Sequence, residues 1–243
     1  MKAIVFVSTV YNPEENLSIS DKSFNPVQEY LIANDFDLIA VEAAVQLKEH
    51  GDLDEVIVFG ISPTKDHLIK ALSMGADRAV YAEADNSEMA PEIVVETALS
   101  VLPDTDDTIW MLGKIGVNFE SHQTAQILAS RLVNAACIDA AFEIQRQGNN
   151  WLIRSEADGV IPTWKVQPPF VVTSDLRLAT PRFPSLPNII KARRKPFQTI
   201  PIVQPASSSH LDTISMTQTE DSQRTCQFLA KDQFVGQILE EIR

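Results

Sequence analysis

Two stretches of this chain hold side chains whose types and spacing could do chemistry, and both point to binding rather than bond-making. The first is residues 113–124, GKIGVNFESHQT, which join the end of an apolar run to the start of an amphipathic one. Unpaired backbone N–H groups at a helix start favour a phosphate or another anion. Ser121 could cap that helix, and the Gln123 and Thr124 side chains could donate to phosphate oxygens. An ordinary capped helix would carry the same residues. The second stretch is residues 171–195, VVTSDLRLATPRFPSLPNIIKARRK. From Arg182 to Lys195 it has five cations (Arg182, Lys191, Arg193, Arg194, Lys195) and no acid, in a protein with 20 Lys and Arg and a formal charge of −13. Leu186 sits between Pro184 and Pro187, a context that resists helix and central strand alike. An apolar side chain on a stiff loop beside a positive patch suits docking to another protein. The same leucine could instead tuck into its own core.

Other chemistries find no footing. The chain has no P-loop, G-x-G-x-x-G, G-x-S-x-G or His-Glu-x-x-His motif. An ATP-dependent enzyme would want a glycine-rich loop near the first strand, and Val7 to Tyr11 reads VSTVY. The pairs Asp106-Asp107 and Glu240-Glu241 read as solvated carboxylates. His50, His67, His122 and His210 lack metal-ligand spacing, and Cys137 and Cys226 stand alone. A pI near 4.7 argues against general nucleic-acid binding. No apolar run reaches the roughly 18 residues of a membrane span, so a membrane protein is not expected. The opening MKAIVFVSTV is too short and strand-like for a signal peptide, which sets the expected location in the cytoplasm, or in a mitochondrial matrix if the source is eukaryotic.

The elements that position these stretches follow from hydrophobic periodicity. Short apolar runs at 2–7 (KAIVFV), 55–60 (EVIVFG), 78–82, 108–112 (TIWML) and 170–173 read as strands buried on both faces. Between them, helices are expected over 35–49, 64–74, 91–101 and 121–133. Residues 8–34 are polar and read as a long excursion. Such alternation specifies an α/β fold with a doubly wound, mainly parallel sheet. Runs at 141–147, 151–156 and 161–166, joined by GNN and DG turns, add a small antiparallel β portion. The expected organisation is a 1–199 nucleotide-binding domain including the 181–195 loop. A linker and C-terminal arm would follow over 200–243, with a strand near 226–229 and a helix over 232–242.

Residues 171–195 resemble the signature segment of electron transfer flavoprotein β subunits: a valine-rich strand, T-A-D-L-R-L, a Pro-Arg-aromatic step, then L-P-N-I-M-K-A-K-K-K. NDFDLIAVEAAVQLKE, ALSMGADRAVY and GKIGVNFESHQTAQILA resemble further segments of that family, so the likeness runs from about Asn34 to Pro196. The resemblance implies an adenine-nucleotide-binding core like that of universal stress proteins. It also implies a heterodimer with an α subunit that takes electrons from flavin dehydrogenases of the acyl-CoA type and delivers them to a quinone reductase. No catalytic residue is implied, because the redox chemistry belongs to FAD held mainly by the α subunit. Tyr11 is the candidate to approach that flavin. A structural AMP is implied, with Gly116, Ser121, His122, Gln123 and Thr124 around its phosphate. Asn34 and the Phe59-to-Ile61 strand end would lie near the adenosine, with Phe6 or Val7 beneath the base. Leu186 would anchor the dehydrogenase, within a partner surface that includes Arg182, Pro187, Ile189, Ile190 and Lys191. Glu156 would pair with an α-subunit arginine. The sequence departs from the family at Asn118-Phe119-Glu120 and at His122, although Ser121 to Gln126 stays closer to the AMP-binding form than to the electron-bifurcating one with a second flavin. The alternative reading is a stand-alone adenine-nucleotide sensor of similar fold.

Overall fold

In the computed structural model the described residues are 1–12, 14–15, 30–84, 89–102, 107–117 and 120–205. The five apolar runs become strands of one nine-stranded sheet. Its members are β1 (Lys2–Phe6), β4 (Glu55–Ser62), β5 (Arg78–Glu83), β6 (Thr108–Gly113), β7 (Ala136–Gln147), β8 (Asn150–Ser155), β9 (Thr163–Val166), β10 (Phe170–Ser174) and β11 (Phe197–Ile200). The five runs supply β1, β4, β5, β6 and β10. A separate hairpin pairs β2 (Thr9–Tyr11) with β3 (Leu31–Ala33). The sheet order is β11-β5-β4-β1-β6-β10-β7-β8-β9. All pairings from β11 to β7 are parallel, and the last two are antiparallel.

The helices are α1 (Asp35–Glu49), α2 (Asp66–Met74), α3 (Pro91–Leu99), α4 (Thr124–Arg131) and α5 (Leu186–Ala192). Alternation along β1 decides which core each residue joins. Ala3, Val5 and Val7 face a cluster with Leu38 and Val41 of α1, Leu68 and Leu72 of α2, and Ala192 of α5. Ile4 and Phe6 face the opposite cluster, with Val95 and Ala98 of α3 and Ala125 and Leu128 of α4. Helices on both faces make the sheet doubly wound. From β1 the chain winds outward through β4 and β5, then returns to place β6 on the other side of β1. The crevice outside the carboxyl ends of β1 and β6 is therefore the topological switch point, where such sheets bind ligands.

The structure departs from the sequence-based expectations in several places. The polar excursion after β1 is not wholly irregular, since its two ends pair as the β2–β3 hairpin. Strand β7 begins at Ala136 and serves two sheets' worth of pairing. Its first residues run parallel to β10, and from Ala141 it runs antiparallel to β8. The register shifts where Ala140 adopts φ 52°. Thr173 fills that irregularity, its Oγ1 accepting from Ala140 N at 2.8 Å and donating to Asp139 Oδ1 at 2.5 Å. Leu186 was expected on a loop hostile to helix, yet it opens α5. Proline fits the first turn of a helix, where its missing N–H has no intrahelical partner anyway, and Pro187 lies there. The expected arm beyond residue 205 lies outside the described residues, as do Asn118 and Phe119.

Candidate functional site

The crevice is built by helix α1 bolting down the loop that leaves β6. Asp37, in the first turn of α1, is 5 % exposed. Its carboxylate accepts from Ser8 N at 2.9 Å, Ser8 Oγ at 2.6 Å and Gly113 N at 2.7 Å. One side chain thus ties the residues that follow β1 to the end of β6. Burial pushes its carboxyl above the ordinary range, opposed by donors from Ser8, Asn34 and Gly113. Asn34 donates from Nδ2 to Ile115 O at 2.8 Å, and Ser174 Oγ donates to Phe36 O at 2.7 Å. Gly113 is required by this closeness: a Cβ there would lie 2.4 Å from Asp37 Oδ1 and 2.8 Å from Asp37 N. Gly113→Ala is therefore expected to lower stability by about 3 kcal/mol through overpacking, seen as a fall of several degrees in Tm by calorimetry.

The loop so fixed lines a pocket of about 60 Å³ with Lys114, Gly116, Ser121, His122, Gln123, Thr124 and Thr173 among its walls. That is room for a phosphate-sized group, set against the roughly 300–1,000 Å³ of a pocket enclosing a whole small ligand. Gly116 leaves open space where a side chain would stand. Glu120 N returns to Gly116 O at 2.9 Å, and Glu120 and His122 both take left-handed φ, 48° and 52°. Such conformations in residues other than glycine persist where the surroundings impose them, and they cluster at functional sites. Helix α4 begins later than its apolar period suggests. Gln123, not Ser121, occupies the N-cap position, and no side chain caps the helix. The first backbone N–H groups of α4 are thus left without a side-chain acceptor at the pocket.

The structure gathers Gly116, Ser121, His122, Gln123 and Thr124 at one pocket. It does not put the other candidate nucleotide residues in that wall. Phe6 lies in the core against Phe59 (5.0 Å, edge-on) and Trp110 (6.1 Å), while Val7 and Ile61 are buried at neighbouring strand ends. Asn34 is 1 % exposed, and its Oδ1 meets no hydrogen-bond partner among the described residues. Tyr11 lies in β2 and is 7 % exposed, so it is no open-loop tyrosine. Asp37 and Lys114 escaped the sequence reading. Asp37 looks there like an ordinary first-turn acid, and only the register of β6 brings Gly113 to it.

The second candidate surface lies on α5 and the segment before it. Leu186, Ile189, Ile190 and Phe183 are exposed, Leu186 by 70 %. Pro187 and Lys191 are exposed beside them. Arg182, expected within the partner surface, is engaged by its own chain. It grips Glu42 and Glu49 of α1, with Nε and Nη2 on Glu42 at 2.8 Å and Nη1 and Nη2 on Glu49 at 2.6 and 2.9 Å. Burial alone would lift the Glu42 carboxyl, but the Arg182 guanidinium overrides it and holds Glu42 below its ordinary value. Lys195 is likewise engaged, its Nζ donating to Leu72 O and Ala76 O at 2.9 and 2.5 Å, at the C-terminal end of α2. Glu156, expected to await a partner's arginine, accepts here from Arg177 Nη2 at 2.6 Å, and Arg177 also holds Asp175.

Residues 27–205 match the family model described as the electron transfer flavoprotein domain. The chain is 34 % identical over 200 residues to the "Electron transfer flavoprotein subunit beta" of Bradyrhizobium diazoefficiens, covering 81 % of this chain and 80 % of that one. It is 29 % identical to the mitochondrial protein of that name in Arabidopsis thaliana over 99 % and 98 % of the two chains. It is 34 % identical to the human one over 69 % and 67 %. With a matching family model over most of its length and relatives of this identity, the chain belongs to the electron transfer flavoprotein family, on its β-subunit side.

Proposed function

We propose that the chain is the β subunit of a heterodimeric electron transfer flavoprotein, carrying electrons from flavin dehydrogenases of the acyl-CoA type to a quinone reductase. The observation that carries this reading is the solvated apolar tip on α5, with Leu186 70 % exposed beside Lys191, Arg193 and Arg194. An apolar patch rimmed by charge marks a protein interaction site. FAD, when bound between this chain and an α subunit, supplies the redox step. This chain's residues bind, orient and exclude water. The small pocket suits the phosphate of AMP, held by the α4 N–H groups, the open Gly116 and the polar side chains from Ser121 to Thr124. The buried Asn34 carboxamide, with its free Oδ1, offers an acceptor for the nucleoside side. Tyr11 and Glu156 would complete the wall toward the α subunit. The compartment would be the cytoplasm or a mitochondrial matrix.

Co-expression with an α-type subunit is expected to give a yellow 1:1 complex. A colourless homodimer that binds ATP would instead establish the sensor. Acid denaturation of the purified complex, followed by chromatography, is expected to release about one AMP per heterodimer. A second flavin in its place would move the chain to the bifurcating branch, and no adenine nucleotide at all would remove the pocket assignment.

A further inference from the structure

Of the large apolar residues described, Phe183 stands furthest out: it is 98 % exposed, against 70 % for Leu186 and 52 % for Ile190. An aromatic ring so placed gains nothing in the isolated chain and has its whole apolar face to offer a partner. Its position is not left to chance. Arg182, one residue earlier, is bonded through all three guanidinium nitrogens to two carboxylates on one helix, and its backbone N reaches Glu42 Oε2 at 3.2 Å. Glu42 and Glu49 lie two turns apart on α1, so a planar fork spanning both fixes the direction as well as the distance of the chain that follows. Glu42 is 2 % exposed, which makes the anchor point part of the core. Beyond Phe183 the chain is fixed again by Ala192, 1 % exposed, and by the Lys195 bonds to α2. The apolar tip therefore projects between two clamps.

We propose that Phe183 is a second docking anchor beside Leu186, and that Arg182 is the positioning residue that holds it outward for an acid-rimmed apolar pocket on the dehydrogenase. This rests on the docking role argued above. The chemistry of the occupant follows from the surrounding charge. Lys191, Arg193 and Arg194 are exposed at and just past the end of α5 and enter no ion pair among the described residues. The exposed segment that carries the apolar tip thus also carries three cations, in a protein that is otherwise strongly acidic. Its complement is a concave apolar site bordered by carboxylates.

The test uses the purified α/β complex and a purified acyl-CoA dehydrogenase, with Kd measured by titration and kcat and KM for the dehydrogenase measured by flavin reduction. Phe183→Ala is expected to weaken docking by about 30-fold, the effect of losing an interface anchor. It should raise KM with kcat little changed. Arg182→Lys keeps the charge and breaks the fork, and Glu49→Gln loosens the fork without touching the exposed face. Both are expected to weaken docking by about 5- to 10-fold with the flavin spectrum unchanged, as expected of lost preorganisation. Tm should hold in Glu49→Gln, whose carboxylate is exposed, and fall in Arg182→Lys, which leaves the buried Glu42 with a weaker partner. If Leu186→Ala weakens docking and Phe183→Ala does not, the second anchor is overturned and the docking surface stands. If neither does, the docking reading itself fails. If Arg182→Lys and Glu49→Gln bind as wild type, or Glu49→Gln binds more tightly, Arg182 is not a positioning residue. Loss of self-association in Phe183→Ala, with dehydrogenase binding intact, would assign the tip to a second copy of the complex and overturn the proposal.

Discussion

Leu186→Ala is expected to slow electron transfer from the dehydrogenase at low partner concentration by about 100-fold, leaving the visible flavin spectrum and the thermal stability unchanged. The size follows from burial. Removing a leucine that becomes fully enclosed at the centre of an interface costs about 2–4 kcal/mol in binding, within the hot-spot range, and about 1.4 kcal/mol is a tenfold change. The specificity follows from exposure. Leu186 is 70 % exposed, so its truncation removes little from the chain's own core, where Ala192 is the α5 residue that packs. The α5 backbone also survives, because alanine is the better helix former and Pro187 stays at the first turn. Stopped-flow reduction against dehydrogenase concentration is the measurement. A rate that holds steady at low concentration would mean the tip is not where the partner sits. The flanking cations act differently: Lys191, Arg193 and Arg194 should set the encounter rate, so raising salt should slow association without changing the saturated rate.

The fold was legible where burial imposes a period. α1 was read at its observed limits because its apolar residues recur at helical spacing behind Asn34. Strands β1, β4 and β6 announce themselves as short, almost wholly apolar runs, whereas β2 and β3 lie hidden at the ends of a polar excursion. The failures share a cause, which is that long-range contacts override local preference. Nothing local in residues 136–140 says strand, since Ala136 and Cys137 become one only by lying beside Phe170 and Val171 of β10. Strand β11 exists because β5 offers it a parallel edge. Proline read as a helix breaker around Leu186, although Pro187, in the first turn of α5, is tolerated there. For the site, residue types disclosed the helix-start pocket, but not its walls. Ser121 has the chemistry of a cap, yet the left-handed turns at Glu120 and His122 move the helix start beyond it. Arg182 has the chemistry of a docking cation. Its carboxylate partners, Glu42 and Glu49, lie 140 and 133 positions away in sequence and were invisible without the fold, which ties its guanidinium to the chain's own α1.

His67 should make this chain acid-labile well before its carboxylates do. The side chain is held in α2 against the β4 backbone, so closely that a Cβ on Gly60 would lie 2.4 Å from its Nε2 and 2.6 Å from Val7 O. The imidazole is 2 % exposed, and neither ring nitrogen has a hydrogen bond of good geometry among the described residues. Burial pushes its pKa from 6.5 down to about 3, with the Thr64 backbone offsetting only a little of that shift. The unfolded chain therefore takes up a proton near pH 6.5, whereas the folded chain resists until about 3. Across that window unfolding is accompanied by proton uptake, so stability declines as pH falls, by about 1.4 kcal/mol per pH unit and on the order of 5 kcal/mol in all. Above pH 6.5 the group contributes no pH dependence. Asp37 titrates with the opposite sense: its raised pKa means the folded state keeps a proton the unfolded state has released, so it favours folding on the acid side and partly masks the histidine. His67→Met supplies an apolar side chain of similar reach with no proton to take up, and it should flatten the decline between pH 6.5 and 4 while stability at pH 8 changes by less than about 1.5 kcal/mol. Urea unfolding midpoints for the two proteins at pH 8, 6 and 4.5 decide the matter. Parallel curves would mean that His67 binds its proton as easily folded as unfolded, and that the cavity around its ring is more polar than the packing of Gly60 and Val7 indicates.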